Sequence, residues 1–216
     1  MIKNEFIKRV FSSLILIPIV LFVIIEGSIL FNFFIVICFF ITTYEWFKMS
    51  KSNIQKIFGL LFLIISFYTI YKIRNDFNQN YFHILIIAII CVSTDIGGYL
   101  FGKLLKGPKL TKVSPNKTYT GVIGSFLLSI VITILFLELT LKIYNFRFTG
   151  EIFIFSLAVS LVSQIGDIII SYFKRLSKIK DTGKIIPGHG GILDRIDGMI
   201  FAYPFSYVIF LNWNFQ

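Results

Sequence analysis

Seven apolar stretches, each close to the length needed to cross a lipid bilayer, fill most of this 216-residue chain. They run approximately over Val10–Ile25, Ser28–Tyr44, Ile57–Tyr71, Phe82–Gly102, Gly121–Leu137, Ile152–Ile170 and Ile196–Trp213. A spanning helix needs about 20 mostly apolar residues, because the hydrocarbon core is about 30 Å thick. Inside it every backbone N–H and C=O must find a partner within the segment, which favours helices. Composition agrees: 56% of residues are hydrophobic, 15% are charged and the mean hydropathy is +0.83. A soluble domain carries about a quarter charged residues. The expected fold is therefore all-α, a polytopic integral membrane protein of about seven transmembrane helices. No room is left for a separate soluble domain of ordinary size. Residues 1–80 would hold about three spans. Residues 81–216 would hold about four, with two long polar loops at 103–120 and 171–195. The first run follows Lys8 and Arg9 like a signal peptide, but no small-residue cleavage site follows it, so a retained helix is expected.

The net charge of +10 raises the question of nucleic acid. Its distribution answers otherwise. With the N terminus in the cytoplasm, all but Lys72, Arg74, Lys142 and Arg147 of the 21 basic residues fall on the inner side. That is the asymmetry of the positive-inside rule, and it supports an odd number of spans. Short basic loops between apolar runs suit orientation and anionic lipid, so nucleic-acid binding is set aside. Cys38 and Cys91 lie inside apolar runs without metal-like spacing and are expected to be small buried hydrophobes.

Eleven acids occur in the chain. Asp95, Asp167, Asp181, Asp194 and Asp197 gather in or beside the cytoplasmic halves of the last four expected spans. Glu5, Glu26, Glu45, Asp76, Glu138 and Glu151 fall at loops or helix ends, where solvated pairing or anchoring suffices. An acid within a span costs roughly 2.5–3.5 kcal/mol and needs a partner or a role. Asp167 shares a helical face with Ser171 and Lys174, which fits either a metal ligand or a structural hydrogen bond or ion pair between helices. Asp194 and Asp197 are three apart and face the same way on a helix, as ligands or as N-terminal caps. Several hard oxygen donors beside many lysines suit Mg²⁺ with phosphate, since Mg²⁺ takes one or two carboxylates and completes its shell with substrate oxygens and water.

The loop before the last run reads KRLSKIKDTGKIIPGHGGILDRID. Gly188, Gly190 and Gly191 lack side chains, which lets backbone N–H groups approach an anion. His189 could donate to a phosphate or shuttle a proton, or be an ordinary solvated histidine. Lys174, Arg175, Lys180, Lys184 and Arg195 could neutralise polyphosphate, or merely satisfy the inside-positive bias. The other inner loop contributes TDIGGYLFGK and SPNKTYTG, whose small residues, hydroxyls and Lys117 suit a polar substrate near a helix start. No P-loop, GxSxG, HExxH or dinucleotide-binding pattern is present.

Ser171 to Asp197 closely resembles the pattern S-x-x-K-R-x4-K-D-x-G-x3-P-x-H-G-G-x-x-D-R-x-D of the phosphatidate cytidylyltransferase (CDP-diacylglycerol synthase) family. All thirteen fixed positions match: Ser171, Lys174, Arg175, Lys180, Asp181, Gly183, Pro187, His189, Gly190, Gly191, Asp194, Arg195 and Asp197. SPNKTYTG is similar to the family's SPxKTxEG element, and TDIGGYLFGK to its D-x-G-x-Y segment. The resemblance covers about residues 90–205; the first 80 match only as generic membrane helices. Two positions depart from it: Thr120 and Ile170 stand where the family commonly carries acids.

What the resemblance implies is conversion of CTP and phosphatidate into CDP-diacylglycerol and pyrophosphate. By the same resemblance Asp167, Asp194 and Asp197 would bind Mg²⁺, with room for a second, monovalent cation such as K⁺. Lys174, Arg175, Lys180, Asp181, His189 and Arg195 would be the catalytic group that orients nucleotide and phosphates. Ser114, Lys117, Thr118, Ser171, Gly190 and Gly191 would contact substrate. A homodimer in the bacterial inner membrane, with its site facing the cytoplasm, is the expected setting. Two rivals remain: a CTP-dependent enzyme acting on another lipid, such as a polyprenol-type kinase, and a transporter with buried Asp residues. A transporter is expected to show broken helices at mid-membrane in repeated halves, and no repeat is evident.

Overall fold

The computed structural model describes residues 2–76, 81–111, 114, 117–144, 150–188 and 190–212. Eight helices occur among them: α1 (Ile2–Glu26), α2 (Ser28–Met49), α3 (Asn53–Asp76), α4 (Phe82–Leu105), α5 (Tyr119–Tyr144), α6 (Gly150–Leu176), α7 (Leu193–Ile196) and α8 (Met199–Asn212). The first six apolar runs fall on α1 to α6, and the described part of the last falls on the end of α7 and on α8; the described residues contain no strand, only two isolated bridges. Among them, α2 through α6 contribute five helices long and apolar enough to cross a membrane; the apolar stretches Phe11–Glu26 and Met199–Asn212 are shorter. Large apolar side chains such as Ile29, Phe33, Phe40 and Leu139 point outward, as lipid-facing residues do. The chain is an all-helical, multi-pass membrane protein.

Two compact units divide it. The first joins Met1–Ile84 to Phe173–Asp197, and the second joins Leu85–Tyr172 to Gly198–Gln216. In the first, Gly27 alone separates α1 from α2, with φ +66°. The buried Arg74 donates from Nε to the carbonyl of Ile24 (2.9 Å) and from Nη2 to that of Ile25 (3.1 Å). These are carbonyls that the end of a helix leaves without intrahelical donors. The guanidinium occupies the space a side chain at Gly27 would need. Arg74 thus closes the end of α1.

At the other end of α2 the sequence SNIQ starts α3. The Gln55 amide N–H donates to Ser52 Oγ (3.2 Å), and Gln55 Oε1 accepts from the backbone N–H of Ser52 (3.4 Å) and Lys51 (3.1 Å). This reciprocal pair is a capping box. Trp46 Nε1 donates to the Gln55 carbonyl at 3.0 Å, and its indole lies where a side chain at Gly59 would go. Glycine is what lets α3 approach that ring.

The second unit is held by small residues. A Cβ added at Gly97 would sit 2.5 Å from the Gly124 carbonyl oxygen, and one at Gly121 would sit 2.8 Å from that of Gly98. Thus α4 and α5 meet backbone to backbone, the packing that glycines permit in membranes. Thr94 Oγ1 donates to Ser160 Oγ (2.8 Å), and Ser125 Oγ donates to the Thr94 carbonyl (2.7 Å). The GG pair of TDIGGYLFGK therefore serves helix packing. The last apolar run is also not one helix: it breaks at Asp197–Gly198, between α7 and α8. Gly198 lies against Ser163, with no room for a side chain.

Candidate active site

The first unit carries the loop 177–192, built on buried carboxylates. Asp194 Oδ2 accepts from the backbone N–H groups of Thr182 (2.8 Å) and Gly191 (2.9 Å), tying the two limbs of the loop together. Its other oxygen faces the Lys174 ammonium at 3.1 Å, and Asp197 Oδ2 faces the same ammonium at 3.6 Å. The exposures of these side chains are 4% for Asp194, 12% for Asp197 and 11% for Lys174. Paired carboxylates this far from water need a cation, and unpaired they would be costly. The i,i+3 spacing expected for Asp194 and Asp197 does bring both to one cation, across α7 and its C-cap.

The glycines have a different local use from the expected anion cradle. The Gly191 N–H is held by Asp194, and Gly190 N–H donates to the Ile186 carbonyl (3.2 Å) while its own carbonyl accepts from Ile186 N–H (2.9 Å). Both amides are engaged inside the loop. Gly190 adopts φ +95°, a conformation that favours glycine. At Gly191 a side chain would overlap the Thr182 hydroxyl and both oxygens of Glu45.

Glu45 is the residue that sequence reasoning missed. Expected at a solvated helix end, it is instead 1% exposed. Its Oε2 accepts from Leu193 N–H (2.8 Å) and Thr182 Oγ1 (3.1 Å), and its Oε1 accepts from Ile192 N–H (3.1 Å). The neighbouring turn of α2 adds two more ties: the Trp46 ring meets Phe173 edge-on at 5.1 Å, and Ser177 Oγ donates to the Met49 carbonyl. The only hint in the sequence was an acid set among aromatics at the end of an apolar run.

Around the loop, Arg175, Lys180, Asp181, Lys184 and Arg195 are exposed. Arg175 Nη1 donates to the Ile179 carbonyl at 3.2 Å. His189 lies outside the described residues.

The second unit gathers the remaining candidates. Asp167 Oδ2 pairs with Lys117 Nζ at 2.6 Å, and Asp167 Oδ1 accepts from Ser171 Oγ at 3.2 Å. Lys117 Nζ also donates to the Gln164 carbonyl (3.3 Å). Thr118 Oγ1 accepts from Gly121 N–H (3.1 Å), capping α5, and Lys117 N–H donates to the Ser114 carbonyl (3.0 Å). The SPNKTYTG element thus fixes both a helix start and the lysine that faces Asp167. Thr120 Oγ1 accepts from Gly107 N–H (3.2 Å), and Ile170 is packed at 2% exposure. Where the pattern's acids are replaced, the substitutes serve turn closure and packing. Asp95 is exposed on α4.

Among the described residues no three His, Cys, Asp or Glu side chains form a metal-holding group. The two oxygens of Asp194 and Asp197 that converge on one ammonium nevertheless fit a hard divalent cation, which needs only one or two carboxylates when phosphate oxygens complete its shell. The Lys174 ammonium marks the position that positive charge takes.

These features define a helical membrane protein with a charge-paired loop site assembled at helix ends. Comparison with known proteins narrows the class. The model of the cytidylyltransferase family matches residues 7–76 and 56–213. A phosphatidate cytidylyltransferase of Rickettsia bellii (strain RML369-C) is 34% identical over 212 residues, 96% of this chain and 91% of the relative. That of Rickettsia conorii (strain ATCC VR-613 / Malish 7) is 32% identical over 97% of this chain and 91% of its own length. That of Staphylococcus aureus (strain COL) is 38% identical over 152 residues, 68% of this chain and 55% of the relative. The chain belongs to the cytidylyltransferase family, and is thereby a nucleotidyltransferase. The likeness extends through the first 80 residues, where the sequence alone offered only generic helices.

Proposed function

We propose that this protein is a CTP:phosphatidate cytidylyltransferase of the bacterial inner membrane, Mg²⁺-dependent, with its site at the cytoplasmic face. The observation that carries this reading is the Lys174, Asp194 and Asp197 cluster, set within the thirteen-position pattern of a chain whose near full-length relatives bear that name. The inside-positive charge split supports the orientation. A homodimer is part of the proposal by resemblance.

The chemistry suits a site of this kind. A phosphatidate phosphate oxygen is already ionised near neutral pH and attacks the α-phosphorus of CTP. The new O–P bond forms as the bond to the β-phosphate oxygen breaks, and pyrophosphate leaves. No proton need be removed, so the barrier lies in bringing two polyanions together. Fixed positive charge and alignment lower it. Asp194 and Asp197, with Asp167, would hold Mg²⁺, which when bound supplies neutralisation of phosphate charge. Lys174, Arg175, Lys180 and Arg195 would bind phosphate oxygens, with Asp181 and His189 orienting the nucleotide. Ser114, Lys117, Thr118 and Ser171 would contact the substrates, and Gly190 and Gly191 contribute by leaving space in the loop. Acyl chains stay in the bilayer while the head group meets CTP from the water.

The test is incubation of purified protein in detergent with labelled CTP and phosphatidate. Lipid-soluble cytidine label is expected with Mg²⁺ and absent with chelator. Folded Asp194→Asn and Asp197→Asn variants are expected to lose at least roughly 100-fold, the scale of removing one preorganised charge contact. Equal labelling by those variants would reject the site.

A further inference from the structure

We infer that Glu45, on α2, is a positioning residue for the catalytic loop: it holds Thr182, Ile192 and Leu193 so that Asp194 and Asp197 present their oxygens to one cation. This rests on the proposed function for its chemistry, though not for its geometry. Glu45 receives three hydrogen bonds, from Thr182 Oγ1, Ile192 N–H and Leu193 N–H. A carboxylate buried to 1% exposure here takes three donors from residues 182–193, and buried charge is expensive without such partners.

The arrangement is matched on the loop side. Two of the bonds end on the amides that open α7, the four-residue helix that carries Asp194. The third ends on Thr182, whose own N–H is held by Asp194 Oδ2. Glu45 and Asp194 therefore grip Thr182 from its side chain and from its backbone. Gly183 and Gly191 are bare where a Cβ would strike Glu45. The glycines of the pattern leave room for a carboxylate that comes from outside the pattern. Asp194 spends one oxygen on the loop and keeps the other for Lys174, so any shift of the loop moves the oxygen that faces the cation. Catalysis by positioning is sensitive to displacements of about 1 Å, which cost on the order of 100-fold.

Glu45→Gln keeps the volume but replaces one acceptor oxygen by an amide nitrogen that cannot accept, leaving Ile192 or Leu193 N–H unpaired. Thr182→Val is a milder variant that deletes one hydroxyl. Both are purified in detergent, and each is assayed for kcat/KM per folded, monodisperse molecule and for backbone hydrogen exchange resolved by peptide. The expected result is a loss of roughly 10- to 100-fold in Glu45→Gln and about 10-fold in Thr182→Val. Faster exchange should be confined to peptides covering 181–194.

Wild-type kcat/KM in a folded Glu45→Gln protein overturns the inference. So does failure of Glu45→Gln to fold while Thr182→Val keeps wild-type kcat/KM, which would mark a stabilising role only. Faster exchange throughout the helices also overturns it. If the wild type itself makes no lipid-linked cytidine, the functional reading fails. The exchange measurement still decides whether Glu45 holds the loop.

Discussion

The Lys174 ammonium sits between two carboxylates, 3.1 Å from Asp194 Oδ1 and 3.6 Å from Asp197 Oδ2. The spacing of Asp194 and Asp197 is readable because i and i+3 share a helix face. That Asp194 divides its oxygens between two loop amides and an ammonium is not readable, since it depends on the fold of residues 182–191. Glu45 was hidden for a simpler reason. Its partners lie 137, 147 and 148 residues away along the chain, and no local periodicity reports such a distance. Gly191 tests the tightness of this packing. Alanine there would overlap Thr182 and Glu45, an overpacking expected to cost about 1–3 kcal/mol. Thermal unfolding in detergent should show a lower midpoint, with activity reduced more than stability alone explains. An unchanged midpoint would mean that the loop has slack.

Among the described helices, hydrophobic run length located the five that are long and apolar enough to cross a membrane, and two shorter ones besides, because lipid solubility is a local property of sequence. Ends and breaks were less visible. The break at Asp197–Gly198 arises where Gly198 lies against Ser163, a tertiary contact. The TDIGGYLFGK segment read as substrate-facing, yet its glycines let α4 approach α5. Gly97→Val places a side chain against the Gly124 carbonyl, which as backbone cannot swing aside. Destabilisation of about 1–3 kcal/mol is expected, read as a loss of monodisperse protein on heating. Gly150→Val is the matched control, since a Cβ at Gly150 meets nothing within 4 Å.

For the molecule as a whole, the distribution of lysine and arginine sets a definite orientation to check. In a background with Cys38 and Cys91 replaced by Ala, an Arg147→Cys variant should react with a membrane-impermeant maleimide on intact spheroplasts. A Lys184→Cys variant should react only in inverted vesicles. The opposite pattern would put the loop site on the wrong side of the membrane for CTP.

Cytidylyl transfer to a lipid phosphate separates cleanly from its nearest rival by following each phosphorus of CTP. Purified protein is given phosphatidate, Mg²⁺ and CTP labelled either at the α- or at the γ-phosphate. The expected result is α-label in the chloroform phase and γ-label in aqueous pyrophosphate. Lipid carrying γ-label instead would identify a kinase and contradict it.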